Sequence, residues 1–429
     1  MAIKNNTDFT IHNIPFGIFS IKNGERGSRH DAPRHKKRVG TIINDQVVDV
    51  YALAQLGYFN DLFRETPTEK IPKSVFLKDF LNDFISLGKE KTNAVRMHIQ
   101  KLLSEPNILP PSVFYAEDAV KLHLPIKIGD YTDFYSSEAH ATNVGKMFRD
   151  PAHALLPNWK HMPVAYHGRA SSIFVSDTNF HRPKGQINAD DTQQPIFTAT
   201  KRLDFELEMA TIIGKNNPIG NPIDVNKAED YVFGFLLFND WSARDIQRWE
   251  YVPLGPFLAK NFFSSVSPWV VTLEALEPFR VSTEPQNPSV LPYLKEENRQ
   301  NFDINLEVTL IPKSETENPK YTEGGVICRT NFKNMYWTVA QQIAHHTVNG
   351  CNLNVGDVLA SGTISGTEPN SFGSLLELTW GGKNPITMPD GATRTFLEDG
   401  DTVIFKGFSE KNGVRVGFGE VKAMVLPAI

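Results

Sequence analysis

Cysteine is scarce in this chain, and long apolar runs are missing from it. Cys328 and Cys351 are the only two cysteines among 429 residues, and neither belongs to a CxxC pair. Their scarcity argues against a zinc finger or a redox motif and fits a reducing cytosol. No apolar run approaches the length of about 18 residues that a membrane helix needs, and no apolar signal region opens the sequence. We therefore expect a soluble, cytoplasmic protein without membrane partners.

An excess of basic charge is also missing. The net charge is −5, the isoelectric point is about 6.2 and charged residues make up 22% of the chain. This balance excludes a general attraction to nucleic acid. The segment Gly24–Arg38 is locally basic, but it has neither aromatic residues nor apolar periodicity. A solvated hairpin loop therefore explains the segment better than a site for an anionic partner.

The chain has the length of two or three domains, and its pattern changes once. Residues 8–55 hold short apolar runs split by turn residues, which is typical of a small β domain. Residues 74–104 have helical spacing of apolar side chains, and the proline-rich stretch Ser104–Phe114 follows them. We place a domain boundary near residue 120, which gives domains of residues 1–120 and 121–429.

The second domain is predicted to be mainly β. Strands are expected at Phe205–Ile213, Val232–Phe238, Trp269–Leu273, Phe302–Leu310, Asp357–Leu359, Leu375–Leu378, Thr402–Phe405 and Val414–Phe418. Helices are expected at about Ser242–Glu250 and Asn334–Val348, and Gly350 fits the end of the second. No internal repeat is visible. These patterns predict a large sheet-based roll or sandwich with a few helices.

Carboxylates occur at three distant places in this domain. In Leu203–Met209 apolar and acidic residues alternate strictly, so Glu206 and Glu208 share one face of a strand. A half-exposed strand with a solvated acidic face is the alternative explanation. If Asp133, Glu206, Glu208 and Asp240 converge, their repulsion requires a cation, and an oxygen-only site suits Mg²⁺ or Ca²⁺.

Asp240 directly follows the apolar run Val232–Phe238, which is typical of a strand buried on both faces. Arg244, Gln247 and Tyr251 follow at helical spacing and share one face, so all three can point at one ligand. Asp240 is otherwise a turn or cap residue, or the partner of Arg244 in a structural ion pair.

Three further side chains are candidates for acid–base or anion chemistry. His140 lies in a polar and aromatic segment and would need a carboxylate to fix its tautomer; Glu377, polar within an otherwise apolar strand, is the candidate. Lys260 lies among apolar residues, either snorkelling or held beside an oxyanion. The glycine-rich loop around Thr363 lacks the spacing of a phosphate-binding P-loop, so it is either a tight turn or a backbone contact to ligand.

Together these segments resemble the fumarylacetoacetase family. The strings that carry the resemblance include GDYTDFYSSEAHATNVGKMFRD, MPVAYHGRASS, LDFELEMA, FNDWSARDIQRWEYVPLGPFLAK and HHTVNGCNLNVGDVLASGTISG. They cover most of the chain beyond residue 128, and they are long and rich in rare residues. A looser similarity, IHNIPFGIFS, covers the amino-terminal part.

The resemblance implies a small SH3-like N-terminal barrel, a β-roll catalytic domain and a homodimer. The implied activity is metal-dependent hydrolysis of a carbon–carbon bond in 4-fumarylacetoacetate, giving fumarate and acetoacetate, the last step of tyrosine and phenylalanine breakdown. The resemblance also implies four groups of residues. Mg²⁺ or Ca²⁺ is bound by Asp133, Glu206, Glu208 and Asp240, with Lys260 and Ser264 nearby, and the base is His140, oriented by Glu377. The oxyanion is stabilised by Arg244, Gln247 and Lys260, and the substrate is contacted by Tyr135, Arg149, Tyr166, Tyr251 and Thr363.

Two departures and two alternatives remain. The basic loop Gly24–Arg38 is longer than the family requires. Where the family usually has a Gly–Thr pair near the metal, this chain has Phe263–Ser264; Ser264 keeps the hydroxyl, but the bulk of Phe263 puts the local backbone path in question. The alternatives are another β-diketo acid or acylpyruvate hydrolase of the same superfamily, and a non-catalytic, metal-stabilised binding protein.

Overall fold

The computed structural model describes residues 7–22, 36–60, 62, 71–188, 194–313 and 324–429. Most of the basic segment, residues 24–35, lies outside the described residues, so the prediction of a solvated hairpin loop there stays open. Arg38 at the end of that segment is described. Its side chain is buried, and its Nη1 lies 3.2 Å from a carboxylate oxygen of Asp49.

Strands dominate the described part of the chain. They are β1 Phe16–Ile21, β2 Arg38–Ile43, β3 Gln46–Asp49, β4 Phe114–Ala116, β5 Val120–His123, β6 Tyr131–Phe134, β7 Ala165–His167, β8 Ile173–Val175, β9 Phe180–His181, β10 Lys184–Ile187, β11 Ile196–Ala199, β12 Leu203–Asp204, β13 Leu207–Ile213, β14 Val232–Asp240, β15 Ser242–Ala243, β16 Ser264–Val266, β17 Trp269–Thr272, β18 Arg280–Ser282, β19 Gln300–Phe302, β20 Asn305–Ile311, β21 Gly325–Asn331, β22 Val358–Ala360, β23 Ile386–Thr387, β24 Thr393–Arg394, β25 Thr402–Lys411 and β26 Val414–Leu426. The helices are α1 Val50–Gln55, α2 Asn82–Ile85, α3 Lys89–Ser104, α4 Glu138–Phe148, α5 Arg244–Glu250, α6 Leu273–Leu276, α7 Val339–Thr347 and α8 Leu375–Leu378.

A 13-stranded sheet runs through both halves of the chain. Its main path is β4-β3-β2-β1-β17-β14-β13-β22-β6-β7, so β1 from the N-terminal part pairs directly with β17. A second, 5-stranded sheet has the order β21-β20-β25-β26-β9. The predicted fold class is confirmed, with an N-terminal part and a large sheet domain, although the described N-terminal strands form no closed barrel. The boundary near residue 120 stays a prediction.

Apolar side chains fill both faces of the large sheet. On β13, Leu207 and Met209 pack into the core shared with β20, β25 and β26, whereas Ala210 and Ile212 pack into the core shared with the N-terminal helices. All nine residues of β14 are buried, as the continuous apolar run predicts. A strand buried on both faces is rigidly held, so the residue at its end, Asp240, has a fixed position.

Several local predictions need correction. Leu375–Leu378 is a short helix rather than a strand, because Ser374 accepts a hydrogen bond from the Glu377 amide and starts a helical turn. The predicted strand Phe205–Ile213 begins two residues later, since β12 ends at Asp204 and β13 runs from Leu207 to Ile213. The predicted second helix begins at Val339 rather than at Asn334, because Thr338 and Gln341 form a capping box at that point.

Among the described residues, none of the helices combines the length and the apolar character needed to span a membrane.

Candidate active site

Sheet register brings the four carboxylates together. Asp133 lies in β6 opposite Ala360 of β22, and Ala360 pairs in turn with Ala210 of β13. Glu208 lies two residues before Ala210, on the same face of the strand. The small side chains of Ala360 and Ala210 leave room above the sheet for larger groups on either side. Asp133 and Glu208 therefore face one another across the β22 strand.

Glu206 and Asp240 complete the cluster on the neighbouring strand pair. The amide of Asp240 donates to the Glu206 carbonyl, so the two residues are opposite each other at the strand ends. One oxygen from each of Asp133, Glu206, Glu208 and Asp240 lies within 4.8 Å of the other three. All four side chains are buried. The half-exposed strand with a solvated acidic face is therefore ruled out.

The donor set fits a divalent cation. Asp133 Oδ1 and Glu208 Oε1 are buried, and neither has a hydrogen-bond partner among the described residues. Burial, followed by the charges of the neighbouring carboxylates, raises the pKa of both Asp133 and Glu208 well above the usual range. A cation bound by these oxygens would remove both penalties at once. Carboxylate oxygens alone suit hard ions such as Mg²⁺ and Ca²⁺.

Lys260 and Arg244 neutralise part of the negative charge. Lys260 Nζ donates to Glu206 Oε2 and to Asp240 Oδ2, each at 2.6 Å, and is buried. Arg244 Nη1 lies 2.6 Å from Glu206 Oε1. Burial favours the neutral acid, but the charges of Arg244 and Lys260 outweigh it and lower the pKa of Glu206 to about 2. Two cations against four carboxylates leave an excess of negative charge that matches a divalent ion.

Arg244 is held from three sides and presents one nitrogen to the site. Its Nε donates to Asp204 at 2.8 Å, and its Nη1 also donates to Gln247 Oε1 at 3.2 Å. Its Nη2 is buried and has no partner in the described part of the chain. The alternative ion pair between Asp240 and Arg244 is not formed; Asp240 pairs with Lys260 instead. A free, positively charged N–H group in a buried site is suited to an oxyanion.

His140 and Glu377 form a buried pair. His140 lies in the first turn of α4, whose cap is Ser137, and its Nδ1 is 2.6 Å from Glu377 Oε2. Asn143, Ser365 and Ser374 also donate to Glu377. Burial alone would raise the pKa of Glu377, but the charge and hydrogen bond of His140, with these donors, lower it. In the neutral imidazole, a proton on Nδ1 that is donated to the ionised Glu377 leaves Nε2 of His140 as an acceptor.

The five predicted substrate contacts divide into two groups. Tyr135, Tyr166 and Thr363 belong to the site: the Tyr135 ring lies edge-on to His140, Tyr166 donates to Asp240 at 2.8 Å, and Thr363 Oγ1 is buried without a partner among the described residues. Arg149 and Tyr251 are exposed. Arg149 donates to the Ala154 carbonyl, and Tyr251 caps the end of α5. Their roles in substrate binding stay predictions.

Both side chains of the departure at Phe263–Ser264 have partners in this structure. The Phe263 ring stacks on Phe174 and Phe180, with ring centroids 4.8 Å apart in each pair. Ser264 begins β16, and its hydroxyl donates to Asp240 Oδ1 at 3.2 Å. The aromatic bulk is therefore absorbed by neighbouring phenylalanines, while the hydroxyl is kept beside the carboxylates.

Sequence reasoning missed the residues that support the site. Asp204, Asn143, Ser365 and Ser374 all bond to predicted catalytic residues. The alternation of Leu203–Met209 already put Asp204 on the polar side of its segment, together with Glu206. The spacing of Ser374 and Glu377 is that of a capping pair at a helix start. Both signals were available, and both were read only as strand pattern.

Comparison with known proteins gives matches along the whole chain. The family described as "Fumarylacetoacetase N-terminal" matches residues 12–125, and the family described as "Fumarylacetoacetate (FAA) hydrolase C-terminal" matches residues 130–425. Fumarylacetoacetase of Homo sapiens is 48% identical, over 100% of this chain and 99% of its own length. Fumarylacetoacetase of Arabidopsis thaliana is 46% identical, over 99% of this chain and 97% of its own length.

A solved structure, fumarylacetoacetate hydrolase from Exiguobacterium antarcticum, aligns with a TM-score of 0.52 at 19% identity, over 96% of this chain and 99% of that one. At this identity the likeness shows the fold alone. The family matches and the full-length eukaryotic relatives go further, and they show that this chain belongs to the fumarylacetoacetase family.

Proposed function

We propose that this chain hydrolyses the carbon–carbon bond between the fumaroyl carbonyl and the acetoacetate part of 4-fumarylacetoacetate, giving fumarate and acetoacetate. The observation that carries the proposal is the buried His140–Glu377 pair, at 2.6 Å, in a site that also holds the four clustered carboxylates and Nη2 of Arg244, which has no partner among the described residues. A base, an anion donor and a cluster fit for a cation are the three parts that this hydrolysis requires.

The first step is proton removal from water. Because Glu377 holds the Nδ1 proton, His140 Nε2 takes the proton of a water molecule as that water attacks the fumaroyl carbonyl carbon. General base catalysis of this kind contributes about 10²–10⁴-fold to a rate. The edge-on Tyr135 ring and the surrounding helix α4 keep the imidazole in place.

The second step is stabilisation of the tetrahedral oxyanion. Arg244 Nη2 is the donor that has no other partner in the described residues, and Gln247 and Lys260 lie beside it. The Gln247 amide oxygen accepts from Arg244, which leaves its NH₂ group available as a second donor. Each such donor is worth about 10²–10³-fold in kcat.

The third step is release of the acetoacetate enolate. The carbon–carbon bond breaks, its electron pair moves onto the acetoacetate part, and the proton taken by His140 returns to that carbon. When bound, a divalent cation at the four carboxylates would supply Lewis-acid stabilisation to the diketone oxygens. We propose that Arg149 and the tyrosines Tyr135, Tyr166 and Tyr251, with Thr363, hold the remainder of the substrate.

The deciding assay follows the loss of fumarylacetoacetate spectrophotometrically, with and without EDTA. We expect turnover that EDTA abolishes and that added Mg²⁺ or Ca²⁺ restores. A panel of acylpyruvates and other β-diketo acids, assayed in parallel, separates this activity from that of related hydrolases. Metal addition that raises the melting temperature without cleavage of any diketone would instead support a non-catalytic, metal-stabilised protein.

We propose Mg²⁺ or Ca²⁺ as the bound ion, since every donor in the cluster is a carboxylate oxygen. Titration calorimetry with each ion on EDTA-treated protein gives the preference. Binding of one ion per chain is expected, and an affinity that is unchanged when Asp240 is replaced would contradict this assignment.

We also propose a homodimer, supported by the apolar surface at the end of α5. Leu254 is 96% exposed and Phe257 66%, and Trp249 and Val252 beside them in the chain are exposed as well. Soluble monomers seldom leave such a set of large apolar side chains uncovered. Sedimentation of Leu254→Asp is expected to show monomers. Ile219→Asp, at another exposed apolar residue that is 80% exposed, is the control and should sediment as the unmodified chain does.

Finally, we propose a cytoplasmic location, supported by the free thiols of Cys328 and Cys351. Fractionation of cells that express the tagged chain tests this proposal, and recovery with a secreted or organellar fraction would contradict it.

A further inference from the structure

Asp204 is a buried carboxylate that neither the metal cluster nor the base pair uses. Its side chain is 0% exposed, and each of its oxygens accepts two hydrogen bonds. Oδ1 accepts from the amides of Phe205 and Leu375 at 2.8 and 2.7 Å. Oδ2 accepts from Arg244 Nε at 2.8 Å and from the Leu376 amide at 3.0 Å. A carboxylate offers about four acceptor positions, so all of them are occupied.

One set of these bonds fixes the guanidinium of Arg244. Asp204 takes Nε, while Glu206 and the Gln247 amide oxygen take Nη1. These three bonds restrain the guanidinium from rotating, and the nitrogen they do not use is Nη2. Asp204 thereby determines which N–H groups of Arg244 face the site.

The other set fixes the start of α8. Leu375 and Leu376 are the first two residues of that helix, and Glu377, the partner of His140, is the next residue. Asp204 therefore ties the backbone that carries Glu377 to the side chain of Arg244. Asp204 also pairs with Ser242 where β12 meets β15, and Ser242 lies two residues before Arg244. This strand pairing keeps Asp204 close to the start of α5.

We propose that Asp204 is a positioning residue for the hydrolysis, which sets the distance between the base pair and the oxyanion donor by holding Arg244 and α8 on one carboxylate. The inference rests on the proposed function, because it assigns the rate effect of Asp204 to Arg244 and Glu377. The precise placement matters since loss of alignment in a donor costs about as much rate as loss of the donor itself, about 10²–10³-fold.

Asp204→Asn is the test variant. An amide has one oxygen, so its NH₂ group must face two of the four donors, and either Arg244 or the α8 amides lose their acceptor. We expect kcat to fall about 10²-fold or more, with KM and calcium affinity within about threefold of the unmodified chain, since Asp204 bonds neither to Arg149 nor to any of the four clustered carboxylates.

Asp401→Asn is the matched control. Asp401 is equally buried and accepts from Arg394 Nε and Nη2 and from the amides of Lys313 and Glu398, but it bonds to no residue of the site. Asp401→Asn should lower the melting temperature about as much as Asp204→Asn does, while its kcat stays within about threefold of that of the unmodified chain. Equal losses of kcat in both variants would reduce Asp204 to a structural residue and overturn the proposal.

Double-mutant cycles separate positioning from general destabilisation. One double variant combines Asp204→Asn with Arg244→Ala, and the other combines it with Glu377→Gln. In each, we expect the fold loss of kcat to be at least about tenfold smaller than the product of the two single losses, because each pair acts through one arrangement. Multiplicative losses in both cycles would overturn the proposal, and so would a loss confined to KM or to metal affinity.

Two further comparisons keep the result interpretable. If Asp204→Asn does not fold, Asp204→Ser, which leaves space for a water molecule beside Arg244 Nε, is assayed against the same expectations. The unmodified chain, assayed alongside, separates the two hypotheses: absence of cleavage there refutes the proposed function, whereas cleavage there with an unimpaired Asp204 variant refutes only the positioning role.

Discussion

Two kinds of buried carboxylate lie in the same site, and they are supported in opposite ways. Glu377 accepts hydrogen bonds from His140, Asn143, Ser365 and Ser374, so its charge is fully compensated by the protein. Asp133 and Glu208 each retain an oxygen without a partner among the described residues. The first arrangement is complete as folded, whereas the second has donor oxygens left over for an ion from outside. Under the proposed function, the first half is a prearranged base and the second is a site that must be loaded.

The largest expected effect comes from the complete half. His140→Ala should reduce kcat by about 10²–10⁴-fold, because it removes the base while Glu377 and the carboxylate cluster remain. Steady-state kinetics and titration calorimetry on the same sample test this, and the calorimetry should show normal metal binding. His153→Ala, an exposed histidine, is the control. Fumarate release close to normal by the His140 variant would refute its assignment as base.

The second effect belongs to the half that must be loaded. Asp240→Ala should weaken metal binding by at least about 10²-fold, since a lost carboxylate ligand exceeds the 10–100-fold effect of an outer partner. It also deprives Lys260 and Tyr166 of their shared acceptor. Calorimetry with Mg²⁺ and Ca²⁺ measures the change, and Asp399→Ala, beside Arg182, serves as control. Unchanged affinity would exclude Asp240 as a ligand.

Some residues of the site could be predicted from the sequence, and others could not. Asp240 is the last of the nine buried residues of β14, and such a run identifies the end of a central strand without knowledge of the fold. The acidic alternation at Glu206 and Glu208 was equally visible, but whether that face met water or a second strand depended on Asp133, 73 residues earlier in the chain. Convergence of the four carboxylates came from family resemblance, and the register across Ala360 gives its physical cause.

The contacts that the supporting residues make were out of reach for a different reason. Asp204 acts through amides of Leu375 and Leu376, which lie about 170 positions later and belong to a turn that was predicted as strand. Backbone amides carry no sequence signature, so a carboxylate that binds them cannot be recognised from residue types. The N-terminal strands pose a similar problem. Their pairing with β17 depends on long-range contacts, and local patterns predicted only that a small β unit was present.

A third prediction sets the two kinds of carboxylate against each other. In metal-free protein, Glu208→Gln should raise the free energy of unfolding by about 1–3 kcal/mol, because burial and the neighbouring carboxylates raise the pKa of Glu208 and make its ionised form costly in the folded state, a cost that a neutral amide does not carry. Glu377→Gln should lower it by a similar amount, since an amide cannot accept all four donors. Thermal denaturation in EDTA measures both. With saturating Ca²⁺, Glu208→Gln should instead lower the free energy of unfolding. If both variants changed the free energy of unfolding in the same direction in EDTA, the distinction between the two carboxylates would be refuted.

The smallest effect concerns Glu296, a carboxylate outside the site that accepts a hydrogen bond from Thr338. Its side chain accepts from the Thr338 hydroxyl at 2.6 Å at the start of α7, and burial raises the pKa of Glu296 to about 7. A raised folded pKa means that the native state keeps a proton that the unfolded chain releases. The stability contributed by Glu296 is therefore present below its ordinary pKa and is lost as pH rises through about 7. Denaturant unfolding of Glu296→Gln should show a flatter dependence on pH between about 5 and 8 than the unmodified chain, by about 1–2 kcal/mol. Parallel curves would show that Glu296 is compensated in the folded state as fully as Glu377.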